Sequence, residues 1–199
     1  SGVVHLKGET IDVTGRADPE MLRRRGLGHV PEDRHHMGLV LPFEENENSI
    51  LGFQYDDAYT NGPFLDIPAI RADAKAKIEA YDIRPPDCRL KTANFSGGNQ
   101  QKIVVAREIE RDPAVLLVGQ PTRGVDIGAI ESIHRRIVAL RDAGKAVLLV
   151  SVELDEIRSL SDRILVMFAG RIVGERGPDA SEQELGLMMA GIESRAAAE

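Results

Sequence analysis

Apolar positions recur along the chain in two rhythms, and each rhythm predicts a different kind of element. "AVLLV" occurs at 114–118 and again at 146–150, and such short continuous runs have the texture of strands buried on both faces of a parallel sheet. Helical spacing of three and four separates and follows them: 97–111, 127–143 and 153–160 read as helices, and 163–168 as a further strand. Upstream, "VVHLKGETIDV" (3–13) alternates as a hairpin turning near Gly8. "DPEMLRRRG" (18–26) reads as a short helix with an N-cap aspartate, a proline at its first position and a closing glycine. "LGHV" is a short strand, and the charged "PEDRHHMG" (31–38) a loop. Downstream, "AGRIVGERG" completes a hairpin, and "SEQELGLMMAG" is a capped final helix.

Between about 44 and 95 the texture changes. No clear strand is visible, and Ile70, Ala74, Ile78 and Tyr81 place a helix over 67–83, so this stretch predicts a mainly helical lobe. Strands alternating with helices around it imply an α/β fold with a parallel core, the helical lobe inserted into it, and an antiparallel edge. The expected division is 1–43 as an N-terminal β region, 44–95 as the helical subdomain, 96–192 as the α/β core and 193–199 as a frayed tail.

Composition narrows the function. With 25 Lys and Arg against 32 Asp and Glu, the net charge is −7, which argues against a nucleic-acid binder. The single cysteine, Cys88, excludes an internal disulfide framework and suits a reducing compartment. No apolar run is long enough to span a bilayer, and the N-terminus carries no secretory pattern. The scattered histidines, His35 and His36 included, fit no common metal-ligand spacing and read as solvated, as does the "RRR" at 23–25.

The segment "NFSGGNQQKIVVAREIERDP" (94–113) carries the candidate chemistry. Ser96 can cap a helix whose apolar stripe is Ile103, Val104, Ala106 and Ile109. Gly97 and Gly98 leave its first N–H groups unshielded, an arrangement suited to phosphate. Taken alone, such a helix start is more often a cap than a site. Its neighbours change the weighting. A strand follows within a few residues, then "QPTRGVD", another helix and another strand, and in that order the chain resembles the second half of an ATP-binding cassette of the P-loop NTPase class. "FSGGNQQK" is similar to the family's signature sequence in its sugar- and nucleoside-importer form, and "PTRGVD" to its D-loop. "GHVPEDRHHMGLV" resembles the stretch that stands in for the Q-loop in the C-terminal cassette of two-cassette importers, with Glu32 where the glutamine would be. "SLSDRILVMFAGRIVGE" (159–175) resembles the closing strand and hairpin.

Against that pattern, three residues and one motif are missing. No G-x-x-x-x-G-K-[ST] occurs, so the simplest expectation is a chain whose phosphate loop lies upstream of the stretch given. Where the family carries a magnesium-positioning aspartate the chain has Gly119, which offers no ligand. Where it carries a water-polarising glutamate the chain has Gln120, which cannot take up a proton at neutral pH. Val152 replaces the usual γ-phosphate histidine. The resemblance thus implies a degenerate catalytic half. Ser96, Gly97, Gly98, Asn99 and Gln100 would meet ATP and Mg²⁺ held by a partner cassette, while this chain alone would be inactive and bind neither tightly.

The implied partners are an N-terminal cassette of the same polypeptide, integral membrane permease subunits and, indirectly, a solute-binding lipoprotein, at the cytoplasmic face of the membrane. The expected cargo is a nucleoside, with ribose- or galactose-type sugars as the alternative. A non-transport cassette protein and a purely structural module are rivals from other classes. Some residues keep two readings. Asp126 is a D-loop residue at the cassette interface or only the cap of the next helix. "PEDRHHMG" is a contact for the membrane partner or a charged surface loop. Pro42, Phe43 and Leu51 line a groove for a short helix of the membrane subunit, or are ordinary core.

Overall fold

The computed structural model describes residues 3–12 and 18–192. The chain divides into two compact units, 1–148 and 149–199, and the expected tail at 193–199 lies outside the described residues.

The first unit opens with an antiparallel hairpin, β1 (Val3–Leu6) and β2 (Glu9–Asp12), paired from Val3↔Asp12 to Leu6↔Glu9. Lys7 (φ 51°) and Gly8 (φ 80°) make the turn, the paired positive dihedrals that match strand twist. Helix α1 (Pro19–Arg24) starts as expected, its Asp18 carboxylate accepting from Glu20 N at 3.0 Å. Strand β3 (Leu27–Val30) lies parallel to β6 (Val115–Gly119), in register from Leu27↔Val115 to Val30↔Val118. Strand β7 (Ala146–Val150) follows on the far side of β6. Between β6 and β7 runs α5 (Ile127–Asp142), and before β6 runs α4 (Gly97–Ile109), which packs against both β3 and α5. The stripe read from sequence is the buried one: Ile103, Val104 and Ala106 are almost fully enclosed.

The segment between β3 and α4 holds α2 (Glu45–Asn48) and α3 (Ile67–Ala80), both packed on α4. Ile50, Phe53, Tyr59 and Ile70 form a core cluster, and Ala74, Ile78 and Tyr81 are buried as their spacing required. Helix α3 stops at Ala80, because Asp82 turns the chain with φ 48°. The lobe also contains a strand pair that its sequence did not announce: β4 (Thr60–Asn61) with β5 (Phe64–Leu65). Gly62 (φ 61°) precedes Pro63, the order of signs of a two-residue hairpin turn with glycine first. Residues 31–38 likewise hold more than a loop. Arg34–Gly38 forms one π-helical turn, nucleated by Asp33, whose carboxylate accepts from His35 N and His36 N at 3.0 Å each.

The second unit contains α6 (Leu154–Leu160), an antiparallel hairpin β8 (Ile164–Phe168) and β9 (Arg171–Arg176), and α7 (Glu182–Met189). Its core is Ile164, Val166, Leu185 and Met188, with Leu154 and Ile157 packed against it. Among the described residues, no helix is long and apolar enough to cross a membrane.

Candidate functional site

The site candidates of the first unit meet at the start of α4. Ser96 has extended backbone and caps the helix, its Oγ accepting from Asn99 N at 3.4 Å and from Asn99 Nδ2 at 2.8 Å. Asn99 Oδ1 accepts from Arg84 N at 2.8 Å, which ties the cap to the loop after α3. Gly97 and Gly98 occupy the first turn, where an α-helix offers their N–H groups no internal carbonyl and the macrodipole is positive. Gln100 faces the other way. It is buried, and its Nε2 donates to Thr92 O and Phe95 O at 3.1 Å each. Its Oε1 must then accept, so the 2.7 Å contact to His35 Nε2 requires the proton on that nitrogen. Gln100 shapes the turn from inside the chain, while Ser96 stays exposed.

A second turn packs onto these glycines. Beyond β6, Gln120 adopts a left-handed backbone (φ 48°), and Arg123 N→Gln120 O (3.1 Å) and Val125 N→Thr122 O (3.3 Å) close the turn over Pro121–Thr122. Asp126 caps α5 through Ala129 N→Oδ1 at 2.9 Å, so the capping role is present. Its other oxygen sits 3.1 Å from where a Cβ on Gly98 would stand. A Cβ on Gly97 would lie 2.7 Å from Arg34 Nη2 and 3.3 Å from Gly124 O. Both glycines thus sit in close approach to the facing turn and to Arg34, Gly98 buried and Gly97 half-buried. Arg34 Nη1 also donates to Arg123 O at 3.0 Å, and Glu32 pairs with Arg123 at 3.3 Å on the exposed rim.

The residues at the end of β6 do not fit a magnesium ion. Gly119 brings no ligand, and a Cβ there would stand 3.2 Å from Glu32 N and 3.5 Å from Glu32 Cα. Any side chain there would crowd the Glu32 main chain by a few tenths of an ångström. Gln120 is almost enclosed, at 9% exposure. Val152, in the second unit, is 61% exposed just after β7, and its side chain carries no polar atom. Among the described residues, no three His, Cys, Asp or Glu side chains converge as a metal site.

Two further features escaped the sequence reading. His35 is exposed, and its Nε2 also bonds Gln100, a contact its sequence position did not reveal. Beneath the site lies a buried ion network. Arg107 donates to Glu108 Oε1 (2.9 Å), Gly38 O (2.8 Å) and Asn48 O (3.1 Å), while Glu108 also receives Arg23 Nη1 and His29 N. Burial pushes the His29 imidazole below its usual range, so it favours the neutral form. A signal for the network existed, since Arg107 and Glu108 continue the Ile103–Val104 stripe one turn on. Of the three groove candidates, Pro42 and Phe43 are exposed and Leu51 half-buried, so the core reading does not hold for the first two.

A parallel core that sets a Ser-Gly-Gly helix start against a Pro-Thr-Arg-Gly-Val-Asp turn defines the signature half of an ATP-binding cassette. Comparison with solved structures agrees. A dimeric ATP-binding cassette in a post-hydrolysis state bound to ADP and Pi superposes with TM-score 0.72, covering 91% of this chain and 75% of that one at 22% identity. A nucleotide-free cassette from an ABC transporter gives 0.66 at 20% identity, covering 96% of this chain and 74% of that one. No family model matches the sequence. Among curated proteins, the guanosine import ATP-binding protein NupO of Bacillus subtilis is 46% identical over 96% of this chain and 37% of its own length. The nucleoside import ATP-binding protein NupA of Lactococcus lactis is 45% identical, with the same shares covered. The glucose import ATP-binding protein TsgD13 of Haloferax volcanii is 42% identical, over 96% of this chain and 36% of its length. The chain belongs to the ATP-binding cassette family, and it spans little more than a third of these relatives.

Proposed function

We propose that the chain is the non-hydrolysing cassette of a two-cassette importer ATPase, serving ATP bound by another cassette of the same polypeptide. The observation that carries this is a contrast within one unit. The turn Ser96–Gly97–Gly98 is capped and braced by its neighbours. The adjacent strand end carries no carboxylate at 119 or 120, and the Glu32 main chain lies close against Gly119. A helix start with unshielded N–H groups suits the γ-phosphate of a nucleotide presented from across an interface. The partner supplies the phosphate loop and carboxylates; this chain supplies Ser96, the amides of Gly97 and Gly98, and the Asn99 amide group that steadies Ser96. Asp126 and the turn before it face the same junction.

The nucleoside reading of the cargo rests on the 46% and 45% identities to guanosine and nucleoside import proteins, against 42% for the glucose import protein. In this reading the protein sits on the cytoplasmic face of the membrane, bound to permease subunits through the exposed Pro42–Phe43 region and fed by a solute-binding lipoprotein. The test is ATP turnover and transport by the intact protein. Ser96→Ala is expected to abolish turnover with the fold retained in thermal unfolding apart from about 1 kcal/mol for the lost cap, and Gly98→Val to abolish turnover with an added loss of stability from crowding Asp126. Installing Asp and Glu at 119 and 120 is expected to add none. Full turnover in the Ser96 and Gly98 variants would end the proposal.

A further inference from the structure

The turn that carries Ser96 and the turn that carries Asp126 belong to different elements, 22 or more residues apart in sequence, and no backbone hydrogen bond joins them among the described residues. Beyond the direct packing of Gly124 and Asp126 on the two glycines, a side chain from a third segment touches both turns. Arg34 Nη1 donates to Arg123 O at 3.0 Å, and Nη2 fills the space that a Cβ on Gly97 would take, close also to Gly124. The guanidinium thus lies in the seam between the two turns, in a place kept open because position 97 is glycine.

The segment holding Arg34 is itself fixed at three points. Asp33 caps the π-helical turn through His35 N and His36 N. His35 bonds Gln100, inside α4. Glu32 pairs with Arg123, one residue before Gly124. Partial burial lowers the Arg34 pKa, yet a guanidinium stays protonated at any physiological pH. Its planar fork can bond a carbonyl with one nitrogen while the other packs on the facing turn, which a single ammonium point cannot reproduce.

We propose that Arg34 is a positioning residue that locks the Ser96–Gly98 turn to the 120–126 turn, so that both reach a partner cassette's nucleotide as one rigid body. This rests on the reading of Ser96–Gly98 as the nucleotide-facing turn. Arg34 acts through those turns and does not itself contact the nucleotide.

The experiment uses the intact protein with Arg34→Ala and Arg34→Lys, measuring ATP turnover, thermal unfolding, and amide hydrogen exchange at 96–99 and 121–126. Arg34→Ala is expected to lower kcat about tenfold or more, the scale of a loosened but still assembled site. The KM for ATP should stay within about twofold, because the partner's phosphate loop sets it. Exchange should rise in both segments together and stay unchanged in β6. Arg34→Lys, which keeps the stem and charge and so the fold, should recover only part of kcat. Wild-type kcat in Arg34→Ala overturns the inference, as does a rise in exchange at one turn without the other, or a KM rise that accounts for the whole loss. The two readings fail separately. If Ser96→Ala keeps wild-type turnover, the proposed function falls; if Ser96→Ala is dead while Arg34→Ala turns over normally, only the positioning role falls.

Discussion

Gly119 offers the sharpest stability test, because two opposite signs are in play. A glycine at a strand end ordinarily gains about 0.5–1 kcal/mol on replacement by alanine, through the smaller entropy of the unfolded chain. Here the parallel register Val30↔Val118 carries the chain leaving β3 directly past position 119. A new Cβ would stand 3.2 Å from Glu32 N, 3.4 Å from Glu32 Cβ and 3.5 Å from Glu32 Cα. Two of those three atoms are main chain, which cannot rotate aside like a side-chain tip. Relief needs a backbone shift of a few tenths of an ångström in a strand exit that also holds the π-helical turn, and such overpacking costs about 1–3 kcal/mol. The contact outweighs the entropy gain, so Gly119→Ala should destabilise. Thermal unfolding of the intact protein should register a loss of about 2–4 °C for each kcal/mol. Gly119→Asp adds a carboxylate facing the same main chain and should be worse, with no gain in ATP turnover alone or with Gln120→Glu. A Gly119→Ala protein that melts at or above the wild-type temperature would refute the close approach. A Gly119→Asp/Gln120→Glu protein with added turnover would refute the idea that this strand end is closed to magnesium.

Two other tests probe the scaffold beneath the site. Glu108→Ala should cost about 3–5 kcal/mol in denaturant unfolding, since it strands the enclosed Arg107 guanidinium without its counter-charge; a loss below about 1 kcal/mol would count against the network. Glu45 has no exposed surface, receives Ser49 Oγ at 2.5 Å on one oxygen and has no hydrogen-bond partner on the other. Burial first of all pushes its carboxyl up to about 7, Ser49 and Lys77 opposing and Asp73 adding slightly. The folded-state value lies above the unfolded one, so the protonated acid stabilises the fold fully below pH about 4.5, and that contribution fades as pH rises through about 7. The span corresponds to about 3 kcal/mol, and Glu45→Gln should flatten the pH dependence of unfolding over that window. An unchanged slope would show that Glu45 does not titrate there.

The legible parts of this chain were those with a repeated or capped local signal. Two "AVLLV" runs, the Asp18 and Ser96 caps and the Ile70–Ala74–Ile78 spacing each declare an element without help from distant residues. The β4–β5 pair was not legible because two-residue strands have no period, and only Gly62-Pro63 marks them. The site shows the same limit. Ser96, Gly97 and Gly98 could be named from their helix start, and Gly119 and Gln120 from the end of β6. Their spatial use could not be read: Gln100 turned out to be an internal brace, and the glycines make room for Arg34 and Asp126. The contacts of Arg34 and Asp126 with the glycines join residues 63 and 28 positions apart, and a charged loop such as 31–38 shows none of its partners in sequence.

That loop gives the two halves of the site a common cause. Glu32 main chain lies against Gly119 at the end of β6. Two residues later, Arg34 fills the seam at Gly97 and bonds Arg123 O. A side chain at 119 would push on the same short segment that positions the guanidinium. The glycine at 119 is therefore compatible with the bracing of the Ser96–Gly98 turn. Under the proposed function, the strand end at Gly119 and the Ser96–Gly98 turn are both touched by residues 32–34. It follows that Gly119→Asp should loosen the amides at 97–99 even though it lies on another strand. A Gly119→Asp protein with wild-type exchange at 97–99 would show that the two features are independent.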